Sequence, residues 1–242
     1  MIYPLIPYAI AGAIWYQGES NASRAHEYGR LFPTMIQNWR SDWGQGPFPF
    51  LEVQLAPWDK NKKRTLEEIT AQPTDSDWAE LRESQLLATR VLPKVGLAVI
   101  TDLGDKDDIH PIKKRQVGAR LALAARAIAY GEKITHSGPV YRSARFSKGK
   151  AILSFHHVGQ GLQARGKSLT GFQICGSNRE WHWAEARIEG RRVVVSSAKV
   201  SEPIAVRYGW ADFPVVNLFN VDGLPATPFR TDNFPMVTAP KN

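Results

Sequence analysis

The sequence is poor in cysteine and contains no long apolar run. Cys175 is the single cysteine among 242 residues, so the chain cannot form an internal disulfide, and its cysteine and histidine spacings offer no structural zinc site. No stretch approaches the roughly 20 consecutive apolar residues that a membrane-spanning helix needs. The longest candidate, from Tyr8 to Tyr16, is interrupted by Gly12. We therefore predict no membrane partner and a fold stabilised by packing.

The amino-terminal segment and the charge balance argue against two further assignments. The sequence begins MIYPLIPYAIAG, which lacks a basic region and carries Pro4 and Pro7 where a signal peptide would be apolar, so no export signal is predicted. The net charge of +8 comes from 31 basic and 23 acidic residues. These basic residues are scattered without interleaved aromatics, which predicts a solvated basic surface and no nucleic-acid partner.

The first half of the chain alternates strand-like and helical patterns, which is typical of a parallel sheet built from βαβ units. Apolar residues at helical spacing, running from Tyr28 to Trp39, give the clearest helix. Predicted strands cover residues 11–16, 48–55 and 95–101. Further helices are predicted from Trp78 to Val91 and from Pro111, which would lie in the first helical turn, to Gly131, which ends the helix. The polar stretch from Lys60 to Asp77 is predicted to cross the surface.

The second half has a different texture. From about Ser137 the sequence breaks into short β-rich runs separated by Gly, Asn and Pro, without helical periodicity. Five such runs predict an antiparallel β-sandwich. We therefore divide the chain into an α/β domain at 1–136 and a β-sandwich domain at 137–242. The Pro-rich stretch at the end is expected to wrap irregularly over the surface.

Polar residues cluster after two of the predicted strands. The first cluster is Gln17 to Asn21, and the second runs from Asp102 to His110. The carboxyl ends of strands in an open α/β sheet are where loops diverge and leave a crevice. The sequence therefore predicts one site built from both clusters.

The second cluster has three interpretations. Asp107 or Asp108 could orient His110 as a general base, because a carboxylate on one imidazole nitrogen fixes the tautomer and stabilises the imidazolium. Alternatively, the acidic run only solvates a loop while His110 caps the next helix. A calcium or magnesium loop is disfavoured because the EF-hand spacing is absent. We predict no metal and no cofactor.

The first cluster also resembles a nucleophile elbow. Gly18-Glu19-Ser20-Asn21-Ala22 approximates G-x-S-x-G at a strand-to-helix turn, which makes Ser20 a candidate nucleophile. The fit is imperfect because Ala22 replaces the last glycine. A serine in a turn more often makes only local hydrogen bonds.

The two clusters together resemble a known family. IWYQGESNA, then PFLEVQLAPW, then DLGD with DIHP, and a tail reading AVRYGWADFPVVNLFNVDGLPATPFRTDNFP, are similar to the sialate O-acetylesterase family of SGNH hydrolases. The resemblance spans nearly the whole chain. It implies an α/β fold of the SGNH type, with a flavodoxin-like parallel sheet and flanking helices, followed by the antiparallel β-sandwich. It also implies an acetylated carbohydrate as substrate and an exported location, periplasmic or secreted.

The resemblance assigns roles to individual residues. A serine attacks the acetyl carbonyl, and His110 matches the family's base. Asp108 matches the acid of the DIHP motif, while Asp107 stands where the wider superfamily places its acid, so both remain candidates. The matching block that lines the oxyanion hole and binds substrate contributes Gln17, Gly18, Glu19 and Asn21. Gln17 is the first choice of oxyanion donor, and Asn21 is the second.

One departure from the family pattern limits this assignment. The family's nucleophile lies in a GQSN-type motif upstream of QGESN, and the chain contains no such motif. Met1 to Leu5 also resembles an internal family segment. We therefore expect a truncated member that lacks its first strand or strands, has little esterase activity alone and self-associates through an exposed sheet edge. The alternative is a non-enzymatic carbohydrate-binding or accessory protein.

Several other residues carry weaker signals. His156 and His157 lie on a predicted strand, so their side chains are expected on opposite faces. Trp181 and Trp183 fall on one face of another strand and are expected in the sandwich core, with a sugar-stacking platform as the alternative. Cys175 is expected to be a small buried residue.

Overall fold

The amino-terminal part of the molecule contains a parallel three-stranded sheet. A computed structural model describes residues 2–61 and 63–240. Its sheet order is β1 (Ala13–Trp15), β2 (Phe50–Val53) and β3 (Val95–Ala98), with both pairings parallel. The register places Trp15 beside Glu52 and Glu52 beside Leu97. All three strands lie inside the predicted ranges and are shorter than predicted.

Helices cover both faces of this sheet. The 3-10 helices are Tyr3–Leu5 and Glu19–Arg24, and the α-helices are α1 (Ala25–Trp43), α2 (Leu66–Thr70), α3 (Asp77–Val91) and α4 (Lys114–Ile128). Phe50 packs on one side in a cluster with residues of α1 and α3, whereas Val53 packs on the other side with Val117 of α4. Alternate residues of β2 therefore serve two layers, as expected for a strand covered on both faces.

The helix predictions hold with two differences. α4 begins at Lys114, so Pro111 lies in the preceding loop and not in the first helical turn. The polar stretch after Lys60 contains α2, whose five residues are too few to give a periodic signal. That helix begins with a capping box, in which Thr65 accepts from the Glu68 N–H and the Glu68 carboxylate accepts from the Thr65 N–H.

The remainder of the described chain is antiparallel, as predicted. Two four-stranded sheets have the orders β4-β5-β10-β9 and β13-β11-β7-β8, and β12 pairs with β6. Their bounds are β4 Val140–Ser147, β5 Lys150–His156, β6 Leu162–Ala164, β7 Phe172–Cys175, β8 Trp181–Trp183, β9 Glu185–Glu189, β10 Arg192–Ser196, β11 Ala205–Tyr208, β12 Leu218–Asn220 and β13 Phe229–Arg230. The change of texture falls between α4 and β4, while the domain boundary near residue 136 stays a prediction.

The sandwich core is aliphatic and aromatic. Leu153, Phe172 and Tyr208 are almost fully buried within it, and Cys175 is fully buried in β7, as expected for a small apolar residue. Trp181 and Trp183, by contrast, are only half-buried. Trp181 packs its ring against the Arg207 guanidinium, 4.3 Å from the ring centroid. The expectation that this tryptophan pair lies in the sandwich core is therefore wrong for Trp181.

A buried arginine joins the two parts of the chain. Arg82 of α3 is fully buried and donates to four backbone carbonyls, those of Leu55, Ala56, Ala211 and Asp212, at 2.7–3.2 Å. The first two acceptors follow β2, and the last two follow β11. This one side chain thus fixes the position of the loop after β11 against the end of the parallel sheet.

The carboxyl-terminal segment folds back onto the α/β layer. Its Val237 and Thr238 N–H groups donate to the Glu80 carboxylate at 2.6 and 3.1 Å, and the Thr238 hydroxyl donates to it at 2.7 Å. The same hydroxyl accepts from the His26 N–H at 3.0 Å. Residues near the end of the described chain thus complete the polar contacts of α1 and α3.

Glu52 carries a carboxyl group in the middle of the sheet. Its side chain is fully buried, and within the part of the chain that the structure describes neither carboxyl oxygen has a hydrogen-bond partner. Burial raises the pKa of Glu52 well above its usual range. The folded state therefore holds a proton that the unfolded chain releases above the ordinary glutamate pKa. It follows that this residue makes the fold less stable as the pH rises.

Replacing Glu52 with glutamine tests this sign. Because glutamine keeps the shape and cannot ionise, we expect Glu52→Gln to raise the free energy of unfolding at pH 7.5 by about 2 kcal/mol and to change it little at pH 4. Urea denaturation at the two pH values measures the difference. Glu67→Gln, on the exposed face of α2, is the control and should have no such effect. An equal gain at both pH values would contradict the proposed protonation.

Candidate active site

The two predicted polar clusters follow the two outer strands of the parallel sheet. The segment from Gln17 to Asn21 comes after β1, and the loop from Asp102 to His110 comes after β3, with β2 between these strands. Because the strands are parallel, both segments leave the sheet at the same edge. Ile109 packs against the hydrophobic cluster that contains Ala22. The second loop therefore contacts the same apolar cluster as the residue that follows the first segment.

A chain of hydrogen bonds orients the Gln17 amide. The Trp15 indole donates to the Tyr28 hydroxyl at 3.4 Å, this hydroxyl donates to Gln17 Oε1 at 3.1 Å, and Gln17 Nε2 donates to Asn21 Oδ1 at 2.7 Å. Burial raises the pKa of Tyr28, so its hydroxyl remains a donor at neutral pH. The amide oxygen is thereby held toward Tyr28. The Nε2 group has a second N–H to offer to a ligand.

Packing against α3 fixes the backbone of the same segment. The Gln85 side chain donates to the Gln17 carbonyl at 3.2 Å and accepts from the Leu55 N–H at 2.8 Å. Gly18 lies so close to α3 that a Cβ atom there would come within 2.7 Å of Leu81 Cδ2. The φ of +158° favours glycine at this position, and a larger residue would also displace the end of the flexible Leu81 side chain. The segment is a rigid part of the site.

Glu19 and Ser20 begin the 3-10 helix that follows. Glu19 is half-buried, and its charge, together with the larger effect of burial, raises the pKa of Tyr16 to about 12. Ser20 is exposed. A nucleophile elbow places its serine on a sharp turn from a strand into an α-helix, whereas Ser20 lies in a 3-10 turn. This geometry does not favour the elbow interpretation.

The acidic loop organises itself around its own carboxylates. Asp105 accepts from the N–H groups of Asp107 and Asp108 at 2.9 and 3.2 Å. Asp108 accepts from the His110 N–H at 2.8 Å, and its Oδ1 lies 3.6 Å from His110 Nδ1. The Asp107 carboxylate instead pairs with Lys106. In this arrangement Asp108, and not Asp107, faces the imidazole.

The His110–Asp108 pair is open to solvent. The His110 side chain is 86% exposed and that of Asp108 is 61% exposed. Solvent screens such a pair, so its mutual stabilisation is small until another element or a ligand covers it. The distance of 3.6 Å is also too long for a hydrogen bond. The pair has the composition of a base and its orienting acid, but it is not yet tightly coupled.

The first residues of this loop are held in place, although His110 at its other end is exposed. Gly104 approaches the preceding loop so closely that a Cβ atom would lie 2.3 Å from the Pro57 carbonyl oxygen. The Asp59 N–H donates to the Lys106 carbonyl at 3.1 Å. Arg120 of α4 binds both oxygens of Asp102 at 2.6 and 2.7 Å. These contacts fix the position of the part of the loop that precedes Asp107 to His110.

Sequence reasoning missed the side chains that hold the site together. The sequence pattern predicts only that Tyr28 lies on the apolar stripe of α1, and that Trp15 and Gln85 lie in a strand and a helix. Their polar atoms face buried partners, which a periodicity pattern does not reveal. A signal was available in principle, because a tyrosine or glutamine on the buried face of a helix needs a hydrogen-bond partner.

Neither a metal-ligand cluster nor a membrane-spanning helix is found among the described residues. Across residues 2–61 and 63–240, no group of three or more His, Cys, Asp and Glu side chains is placed to hold a metal ion. In the same part of the chain, no helix combines the length and the apolar character needed to cross a bilayer.

The fold and the site define a class of protein. A parallel sheet covered by helices on both faces, with the polar segments of the site at its carboxyl edge, is an α/β fold of the SGNH type. The chain belongs to the family described as carbohydrate esterase, sialic acid-specific acetylesterase, whose model matches residues 5–127. The resemblance inferred from the sequence motifs is thereby confirmed.

Individual relatives agree with this assignment. The chain is 31% identical to the sialate O-acetylesterases of Pongo abelii and Mus musculus, in each case over 88% of its own length. It spans less than half of those relatives, 43% and 42% respectively. A crystal structure of a carbohydrate acetylesterase from Xanthomonas citri is 47% identical, has a TM-score of 0.89 and covers 97% of this chain and 53% of the other.

Proposed function

We propose that the chain forms part of a serine-dependent carbohydrate O-acetylesterase, which hydrolyses acetyl esters on sugar hydroxyls of the sialic acid type. The observation that carries the proposal is the Gln17 amide, held by Tyr28 and Asn21 at the sheet edge from which the His110 loop also departs. Family membership and the names of the relatives support the same reaction. An acetylated carbohydrate is the proposed substrate, and the proposed reaction needs no cofactor.

In the proposed mechanism, a serine hydroxyl attacks the acetyl carbonyl while His110 removes its proton. Asp108 is the better placed of the two candidate acids, since its carboxylate lies nearest the imidazole, and Asp107 is the second candidate. The negative charge that develops on the carbonyl oxygen accepts a hydrogen bond from Gln17. Such a donor contributes roughly 3 kcal/mol to stabilising the transition state. Protonated His110 then returns its proton to the departing sugar oxygen, which leaves the acetyl group on the serine. The same imidazole next removes a proton from a water molecule that attacks this acetyl group, so that acetate is released and the serine is restored.

Gly18, Glu19 and Asn21 have supporting roles in this proposal. The close packing of Gly18 keeps the segment near α3, and the Asn21 amide is a second possible donor to the oxyanion. Glu19 stands beside them at the start of the 3-10 helix, where its carboxylate could accept from a sugar hydroxyl. The segment thus supplies donors for the oxyanion and an acceptor for the substrate.

We further propose that the nucleophilic serine comes from a segment outside these 242 residues. The absence of a GQSN-type motif supports this, as does the greater length of the relatives. β1 is an edge strand, and Ile14 on it is 72% exposed. A segment that covers this edge would also bring a serine toward the exposed imidazole. Without that covering segment, the β1 edge is free for self-association.

We propose an exported location, periplasmic or secreted, on the family resemblance alone.

An acetate-release assay tests the proposal. The chain alone is compared with the chain fused to the part of the Xanthomonas citri acetylesterase that this chain does not cover, which is the proposed source of the serine. The substrates are 4-nitrophenyl acetate and an O-acetylated sialic acid. We expect only background hydrolysis from the chain alone and turnover from the fused protein. The control is the fused protein with the added serine replaced by alanine. Efficient turnover by the chain alone that Ser20→Ala abolishes would overturn the proposal in favour of the elbow interpretation.

A further inference from the structure

A cavity separate from the candidate active site lies on the opposite edge of the parallel sheet from β1. It has a volume of about 480 Å³ and is bounded by α3, the outer edge of β3, the end of α4, and strands β4 and β5. Five basic side chains line it, Arg90, Arg142, His136, His156 and His157. Within the described chain its lining includes no carboxylate. The cavity therefore collects potential positive charge without an internal counter-ion.

The two adjacent histidines reach this cavity because the strand ends between them. β5 stops at His156, and His157 has a φ of +55°, in the left-handed region. The ring centroids of the pair lie 6.4 Å apart, and that of His136 lies 5.8 Å from His157. The expectation that His156 and His157 face opposite sides of a strand is therefore wrong. Positive φ redirects the second side chain toward the first.

The cations in the cavity act on each other. Burial, and then the charges of His136 and His156, lower the pKa of His157. The nearby carboxylates are engaged elsewhere, since Glu132 pairs with Arg126 and Asp222 accepts from Thr135 at 3.3 Å. When protonated, His136 and His156 thus repel a proton on His157. A bound anion would relieve that repulsion and favour the protonated rings.

Thr227 contributes a buried hydroxyl to the wall of the cavity. Thr227 is 1% exposed and lines the cavity, yet its Oγ1 has no hydrogen-bond partner among the described residues. Its backbone N–H is satisfied by the Pro139 carbonyl at 2.9 Å. Leaving such a hydroxyl unpaired is unfavourable. Because Oγ1 is itself buried, a ligand oxygen would accept from it only after a small movement of the cavity wall.

We propose that this cavity binds a small oxyanion, of the kind carried by a phosphate or carboxylate group, free or on a sugar. The imidazole and guanidinium groups would supply charge-assisted hydrogen bonds, and Thr227 would donate from the wall. A metal cation is disfavoured because two guanidinium groups share the space with the imidazoles. This site lies outside the proposed esterase machinery, so the inference does not rest on the proposed function.

Calorimetric titration of the chain with inorganic phosphate tests the proposal. Titrations at pH 6 and pH 8, with total ionic strength held constant by sodium chloride, separate a site from general attraction to a basic protein. We expect saturable binding of one phosphate, at least about fivefold tighter at pH 6 than at pH 8, because a bound anion favours the protonated imidazoles and lower pH supplies the protons. Galacturonate, titrated in parallel, tests the carboxylate source of the same chemistry. Failure of both ligands to saturate overturns the inference.

Three variants locate the binding. Arg142→Gln should weaken binding about threefold to tenfold, as loss of a charge-assisted hydrogen bond predicts. The matched control is Arg145→Gln on the same strand, which removes an equally exposed charge that does not line the cavity. Thr227→Val should weaken binding without lowering stability, because its hydroxyl bonds nothing in the unliganded fold. His157→Asn, which tolerates positive φ, should reduce the dependence on pH.

The variants also set the conditions under which the inference fails. Equal affinities of Arg142→Gln and Arg145→Gln would overturn it, as would an affinity that follows ionic strength and not pH. Unfolding curves of each variant show whether its fold is retained. Thr227→Val makes the result interpretable, since this change removes a donor while preserving the side-chain shape. A failure of the esterase assay leaves this outcome unaffected.

Discussion

His110→Ala should lower kcat for acetyl ester hydrolysis by about a thousandfold or more in the fused protein that carries its serine. The imidazole is the proposed base, and removing a general base that acts together with a nucleophile eliminates most of the catalysed rate. KM should change little, since the ring takes part mainly in proton transfer. Initial rates with 4-nitrophenyl acetate and with an acetylated sugar measure both parameters.

The exposure of His110 makes this experiment easy to interpret. Its side chain makes few packing contacts at 86% exposure, so its removal should change the free energy of unfolding by less than about 0.5 kcal/mol. His26→Ala, an exposed position on α1, serves as the matched control. Asp108→Asn and Asp107→Asn, compared side by side, identify the acid by the larger loss of kcat. Unchanged turnover in His110→Ala would contradict the proposed mechanism.

Arg82→Met should be the most destabilising single change proposed here. The substitution removes the guanidinium donors from four carbonyls, of which Ala56 keeps the Trp78 indole N–H and Asp212 keeps the Trp58 N–H. Because the Leu55 and Ala211 carbonyls lose their donor, we expect a loss of about 3 kcal/mol in the free energy of unfolding. Burial lowers the pKa of Arg82 to about 9, which indicates how strongly the surroundings oppose its charge. The four hydrogen bonds are what offset that cost. Urea denaturation followed by tryptophan fluorescence measures the loss.

A control variant distinguishes the loss of the Arg82 hydrogen bonds from a general effect of removing a positive charge. Arg30→Met removes the same charge from an exposed position on α1 and should change stability by less than about 0.5 kcal/mol. Arg82→Lys keeps a charge but presents fewer donors in a different geometry, and it should recover only part of the loss. Equal stability of the wild type and Arg82→Met would mean that the arginine does not hold the two parts together.

The parallel sheet was predictable because its strands and helices are written as hydrophobic patterns. The periodic residues that begin at Tyr28 fall in α1, and the stretch from Trp78 to Val91 lies wholly within α3. The exception on α1 is Leu31, which is 44% exposed although it has the spacing of the buried stripe. Spacing defines a helical face only approximately, and tertiary packing decides how much of that face is covered.

The contacts within the candidate site were less predictable. Spacing and motif placed Gln17 and His110 after two strands, but not the hydrogen bonds through which Tyr28 orients the Gln17 amide. Those contacts join residues on different elements, and their geometry depends on how the elements pack. The cavity lined by His156 and His157 was not predicted, for a related reason. Side chains alternate between the faces of a strand, and this alternation stops where β5 ends and His157 adopts positive φ. Local deviations of the backbone leave no periodic trace.

The return of the carboxyl-terminal segment to Glu80 has a consequence for biosynthesis. The N–H groups of Val237 and Thr238 reach α3 more than 150 positions earlier in the chain, at separations of 157 and 158 residues. During translation, the Glu80 carboxylate therefore gains these partners only after Val237 and Thr238, more than 150 residues later in the chain, have left the ribosome. Until then the nascent α/β layer has an open polar gap, and chaperone binding or premature proteolysis would be most favourable in that interval.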